Sequence, residues 1–178
     1  MASKNIAPTD NEIFFSEDQI IVSKTDLKGK ITYANSLFEK VSGYGWEELS
    51  GQPHSLIRHP DMPRCVFKLL WDTLDQEKEI FAYVKNMAKN GDYYWVLAHV
   101  VSSYDITGKL VGYHSSRRSP KKHVVQQISP LYKGLLEIEK NHQNPKDGLQ
   151  ASLDHLINLL DNNNVSYAEY ITALSVAA

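Results

Sequence analysis

Gly51-Gln52-Pro53-His54-Ser55-Leu56-Ile57-Arg58-His59-Pro60-Asp61-Met62-Pro63 is the stretch around which this chain is organised. Three prolines within residues 53–63 fix φ and block regular structure, so the segment reads as a shaped loop that holds its groups still. It crowds Arg58, His59 and Asp61 against apolar Leu56, Ile57 and Met62. Beyond it, Arg64 to Gln76 repeats apolar residues at helical spacing through Phe67, Leu70, Trp71 and Leu74, with Lys68, Asp72 and Asp75 on the other side. Asp61 is placed to cap that helix, and Pro63 suits its first turn. Taken singly, Asp61 is explained by capping and Trp71 by core packing.

Upstream of the loop, Gln19 to Lys24 is short and β-branched, Thr25-Asp26-Leu27-Lys28-Gly29 supplies turn chemistry, and Lys30 to Ala34 resumes as a strand. Asn35 then caps a helix through Val41 that buries Leu37, Phe38 and Val41, and Gly43 ends it. A second short helix spans Trp46 to Leu49. Downstream, Ile80 to Asn86 alternates Ile80, Ala82, Val84 and Asn86 on one side with Phe81, Tyr83 and Lys85 on the other. Asn90-Gly91 signals a tight hairpin into Tyr93 to Ser103, and Thr107-Gly108 turns that strand into Leu110 to Ser116. This order predicts an α+β fold, a five-stranded antiparallel sheet with helices on one face.

Ser119-Pro120 closes the sheet unit, which divides the chain into an N-terminal cap (1–18), a sheet domain (19–119) and a C-terminal helical extension (120–178). In the cap, Ile13, Phe14 and Phe15 need something to pack against. In the extension, Val124 to Asn141 reads as helix, with Pro130 expected to split its start. Asn144-Pro145 interrupts the pattern, Leu149 to Leu160 is amphipathic through Leu153, Leu156, Ile157 and Leu160, and a last helix from Ser166 carries Tyr167, Tyr170, Ile171 and Leu174.

The stretch from about Ile20 to Arg117 resembles a PAS domain. Ser42-Gly43-Tyr44, the proline loop, Trp71, Val84-Lys85-Asn86 and Lys89-Asn90-Gly91-Asp92-Tyr93-Tyr94-Trp95-Val96 are similar to the aerotaxis-receptor (Aer) type. That resemblance implies a sensor of redox or energy state that holds FAD noncovalently and steers chemotaxis. The segments expected of a full aerotaxis receptor are missing from the pattern. The chain is therefore more similar to the split, CetB-type arrangement, in which a soluble PAS protein acts on a separate membrane-bound chemoreceptor of the methyl-accepting type. PAS domains often pair through their N-terminal caps, which makes a homodimer through Ile13, Phe14 and Phe15 an expectation. By the same resemblance the cofactor contacts fall on Arg58, His59, Asp61 and Trp71, with Asn86 and Asn35 added.

The residues themselves suit a flavin. Such a site needs an apolar slot, a few amide or guanidinium groups and an aromatic neighbour. Asn86 ends an inward row and needs a partner that both donates and accepts. Arg58 can neutralise phosphate or carbonyl oxygens, Trp71 can stack on a ring, and small Ala82 and Ala98 leave room for a flat guest. The competing explanations are structural: Asn35 as a helix cap, and His54, His59 and Asp61 as braces within the loop. Arg117, Arg118, Lys121 and Lys122 read as one small basic patch. Light sensing of the LOV type requires a cysteine ahead of the long helix; the corresponding place reads Pro53-His54-Ser55, and Cys65 lies inside the next helix.

Other classes find little support. With a net charge of -2 over 178 residues there is no basic surplus for general nucleic-acid binding. A single cysteine excludes an internal disulfide and fits a reducing compartment. No apolar run reaches a membrane span and no signal peptide is evident, so a cytoplasmic protein is expected. No enzymatic motif and no metal-ligand cluster is present, so neither catalysis nor a metal is expected. A cofactor-free PAS adaptor and a haem-binding PAS sensor remain as alternatives.

Overall fold

The computed structural model describes residues 6–176. Five strands, β1 (Ile21–Thr25), β2 (Ile31–Ala34), β3 (Ile80–Met87), β4 (Tyr93–Tyr104) and β5 (Leu110–Arg118), form one antiparallel sheet in the order β2-β1-β5-β4-β3. Between β2 and β3 run α1 (Ser36–Ser42), α2 (Trp46–Leu49), a 3-10 turn (His54–Ile57) and α3 (Arg64–Asp75). The C-terminal helices are α4 (Lys122–Lys140), α5 (Pro145–Asn162) and α6 (Tyr167–Val176).

Local chemistry fixes these elements. The Asp26 carboxylate accepts from the amides of Lys28 and Lys30, turning the chain between β1 and β2. Asn35 caps α1 by accepting from the Phe38 amide at 3.1 Å, and its carboxamide also bonds the backbone of Val22 and Ile20, tying α1 to β1. Gly43 ends α1 in the left-handed region at φ 72°. Gly91 takes φ 94° in the β3–β4 turn, where a Cβ would sit 2.3 Å from the Ala7 carbonyl oxygen. The N-terminal segment is seated there by backbone bonds from Thr9 to Gly91 and from Ile13 to Tyr93.

Register decides which residues share a face. Ile80, Ala82, Val84 and Asn86 pair with Val100, Ala98, Val96 and Tyr94; Val100 and Ala98 pair with Ser115 and Arg117; and Thr25, Ser23 and Ile21 pair with Tyr113, Ser115 and Arg117. All of these face α1 to α3. The core continues from Phe38, Leu49 and Ile57 through Val66 to Val96, and a smaller cluster of Leu70, Leu74, Ile80 and Tyr113 closes one end.

The C-terminal helices cover the outer face of β3 and β4. Tyr132 of α4 stacks on Trp95, and its hydroxyl donates to the Tyr83 carbonyl at 2.8 Å. The Tyr83 hydroxyl pairs with Ser175 of α6 at 2.8 Å, while α5 lies against α3. Two expectations change here, at Pro130 and Ile157, while the break at Asn144-Pro145 is kept. Pro130 does not split α4: it is exposed, the carbonyl it leaves without a donor belongs to exposed Gln126, and Ile128, Tyr132 and Leu135 hold the helix to the core. Pro145 starts α5 at its first turn, capped by Asn144. Ile157 is exposed rather than buried.

The Tyr132 hydroxyl is the one side-chain donor to a carbonyl on the edge strand β3 among the described residues, so Tyr132→Phe strands a buried acceptor. Urea unfolding is expected to show a loss of about 1–2 kcal/mol with an unchanged m-value.

Candidate functional site

A cavity of about 290 Å³ lies between the inner sheet face and the helices. The sheet contributes Ser23 and Thr25 from β1, Val84 and Asn86 from β3, Val96, Ala98 and Val100 from β4, and Tyr113, Ser115 and Arg117 from β5. α3 contributes Phe67, Leu70 and Trp71, and the loop contributes Pro53, His54, Ser55 and Arg58. Its walls are mainly apolar, with polar groups gathered on two sides.

One polar side is Arg117. It is 2% exposed, its guanidinium donates through Nη2 to the Ser23 hydroxyl and to His54 Nε2 (2.7 Å), and it lies over the Phe38 ring. Burial lowers its pKa to about 10, which still leaves it charged at neutral pH. Nη1 is buried without a partner among the described residues. The His54 ring stacks on Phe38; burial and then the Arg117 charge push its pKa well below 6.5, so it is neutral and accepts at Nε2. Arg117 is separated by its burial from Arg118, Lys121 and Lys122, its neighbours in the small basic patch that the sequence suggests. Alternation along Tyr113, Ser115 and Arg117 was the available signal, since residues two apart on a strand share a face.

The other polar side is formed by Arg58 and Asn86, which make an antiparallel backbone bridge. The Arg58 guanidinium lies 3.8 Å from the centroid of Phe67, and its Nε is buried without a partner among the described residues. Burial lowers its pKa, offset by the Glu139 charge. Asn86 is 4% exposed and its side chain lines the cavity. Trp71 stands at the rim, 37% exposed, with its indole edge against Tyr113 at 5.2 Å and against Gly29.

Three predicted contacts fall outside the cavity. Asn35 is fully engaged as the cap of α1. Asp61 does not cap α3 either: the α3 N-cap is Pro63, and the Asp61 carboxylate bonds Lys85 at 2.7 Å. Partial burial raises the Asp61 pKa, and Lys85 more than reverses this, so the carboxylate stays ionised. His59 is 2% exposed, and its Nδ1 accepts from the Asp61 amide at 3.1 Å. Burial and Lys85 keep its ring neutral, and it borders a second, more open depression between the loop and the α4–α5 turn. His59 and Asp61 therefore brace the loop from behind. Of the two small residues, Ala98 lines the cavity and Ala82 does not. Cys65 also lies outside it, and burial pushes its thiol pKa up to about 11. Among the described residues no metal-binding cluster occurs.

Residues 31–117 match the family model described as the PAS fold. This region is a PAS domain. The chain carrying it is 44% identical over 120 residues to the aerotaxis receptor of Escherichia coli K12, covering 67% of this chain and 24% of the receptor. It is 28% identical over 109 residues to the nitrogen fixation regulatory protein of Klebsiella pneumoniae, covering 60% and 22%. The chain thus spans about a quarter or less of these relatives. Among solved structures, a PAS domain from Colwellia psychrerythraea superposes with a TM-score of 0.53 at 22% identity, covering 58% of this chain and 87% of that one. The light-state LOV domain of the photoreceptor aureochrome1 superposes at 0.51 and 21% identity, covering 71% and 94%. These two share the fold of the PAS domain.

The neutral state of His54 makes stability depend on pH. Its pKa is depressed on folding, so the unfolded chain takes up the proton as pH falls through 6.5, and stability present above that value is lost below it. Between pH 7.5 and 5.5 the wild type is expected to lose about 1 kcal/mol that His54→Asn does not lose, measured by urea unfolding at the two pH values. A thiol held near pKa 11 also predicts that Cys65 reacts with disulfide reagents at pH 8 only after unfolding.

Proposed function

We propose that this chain is a redox or energy-taxis sensor that holds FAD noncovalently in its PAS cavity and signals by contact with a membrane-bound chemoreceptor. Residues 19–119 act as the sensor unit, with 1–18 as cap and 120–178 as helical extension. The observation that carries this reading is the cavity itself: an apolar slot lined by Asn86 whose polar sides present Arg58 Nε and Arg117 Nη1, both buried without a partner among the described residues. A flavin ring has the matching pattern, an apolar end and an edge of carbonyl and nitrogen acceptors with one donor. About 290 Å³ lies at the low end of small-molecule sites, roughly 300–1,000 Å³, and suits the ring portion of the cofactor.

A bound flavin supplies reversible one- and two-electron reduction. The chain's residues determine how that reduction is felt. Arg117 is a buried cation with no carboxylate partner among the described residues, so its field favours added negative charge in the cavity. Asn86 can present either its amide or its carbonyl, and it sits on β3, whose outer face touches α4 and α6. The 44% identity to an aerotaxis receptor supports chemotaxis as the process served.

No helix among the described residues is long and apolar enough to cross a membrane. Phe14 is 73% exposed while Ile13 and Phe15 are half-buried, which supports a homodimer through this segment. The haem alternative has less behind it: His54 is the histidine on the cavity wall, and its Nε2 is occupied by Arg117. His59 and Asp61 contribute by bracing the loop, and Asn35 by seating α1.

Gentle purification followed by denaturation and mass spectrometry of the released small molecule tests this reading. FAD, with paired visible bands that bleach on adding dithionite, is expected. A Soret band would establish the haem sensor, and colourless protein that takes up no FAD would establish the adaptor. Arg117→Ala, Arg58→Ala and Trp71→Ala are each expected to weaken FAD binding about tenfold or more in an equilibrium titration.

A further inference from the structure

We infer that Glu139 of α4 is a positioning residue of the PAS cavity, so that docking of α4 and α5 is linked to occupancy of the site. The inference rests on the flavin reading and adds the C-terminal helices to it.

α3 walls the cavity with Phe67, Leu70 and Trp71, yet its N-terminus carries no local cap. Pro63 offers no side-chain acceptor, and Asp61 is turned to Lys85. The first-turn amide of Cys65 instead donates to Glu139 Oε1 at 3.0 Å, and Arg64 Nε donates to Oε2 at 2.8 Å. A carboxylate brought from 74 positions away in sequence therefore occupies the positive end of the α3 dipole.

The same carboxylate holds α5. Ser152 donates its hydroxyl to Oε1 at 3.0 Å, and Gly148 approaches so closely that a Cβ there would lie 2.5 Å from the Glu139 carbonyl oxygen. Glu139 is 5% exposed, and its charge also acts on Arg58, which lies over Phe67 at the cavity wall. If α4 and α5 lift away, α3 loses its cap, and Arg64 and Arg58 lose their counter-charge. If α3 shifts to admit or release a guest, the buried anion loses its donors. The two events favour each other, and such coupling is reciprocal: a guest that needs α3 seated must stabilise the docked helices.

Hydrogen exchange of the full chain, FAD-loaded and FAD-stripped, tests this together with the rate of FAD dissociation. FAD is expected to slow exchange across residues 136–156. Glu139→Gln is expected to release FAD about tenfold faster and to abolish that exchange difference. Ser152→Ala, which removes one neutral donor and retains the charge, is expected to act in the same direction but less. A cap with only a structural role would lower stability equally with and without FAD and leave the exchange difference intact; that result, with FAD demonstrably bound, overturns the inference. Wild-type release kinetics in folded Glu139→Gln overturn it as well. Failure of the wild-type chain to take up any FAD is a distinct result, seen before any variant is made, and removes the flavin reading and this linkage with it.

Discussion

The inner cavity depends on how the edge strand β3 is closed. An open edge presents unpaired amides and carbonyls that pair with whatever is near. Here the proline loop supplies the Arg58–Asn86 bridge, the Met62 sulfur accepts from the Lys85 amide, and Tyr132 donates to the Tyr83 carbonyl. The loop is thereby pinned at β3, while its start is pinned to β2 by backbone bonds of Gly51 and Gln52 with Ile31, and to β1 and the β1–β2 turn by His54 with Ser23 and Gly29. Held at both ends, it spans the sheet, and the slot beneath stays open.

Opening a slot leaves buried polar groups to be managed. Arg117 is stabilised by Ser23, by a histidine kept neutral and by the face of Phe38. None of these carries negative charge, so the field of the guanidinium projects into the cavity uncancelled. Arg58 is handled differently: Phe67 supports its plane, and Glu139 offsets its charge from outside the cavity. The two cations thus differ in kind, one fixed within the sheet and one shared with the C-terminal helices.

Much of this was readable from sequence where short-range rules dominate. The Asn35 cap, the Gly43 terminus, the Asn90-Gly91 turn and the inward row of β3 follow from spacing within a few residues, and the structure keeps them. Arg58, Trp71 and Asn86 line the cavity, and the loop, α3 and β3 that carry them each declare their orientation in the sequence. Arg117 was not singled out, because two adjacent arginines look like surface charge unless strand alternation is carried to the end of β5. Asp61 and His59 were assigned to the cavity, but Lys85 draws Asp61 to the far side of the loop. The cap of α3 could not be read locally at all, since its acceptor lies at the far end of α4.

The three tryptophans occupy three different layers of this architecture. Trp46 faces solvent on α2, Trp71 stands at the rim of the cavity, and Trp95 lies beneath Tyr132 where α4 meets the sheet. The chain therefore carries its own set of optical probes, in which single-tryptophan versions separate emission from the surface, from the mouth and from the helix dock without any attached label.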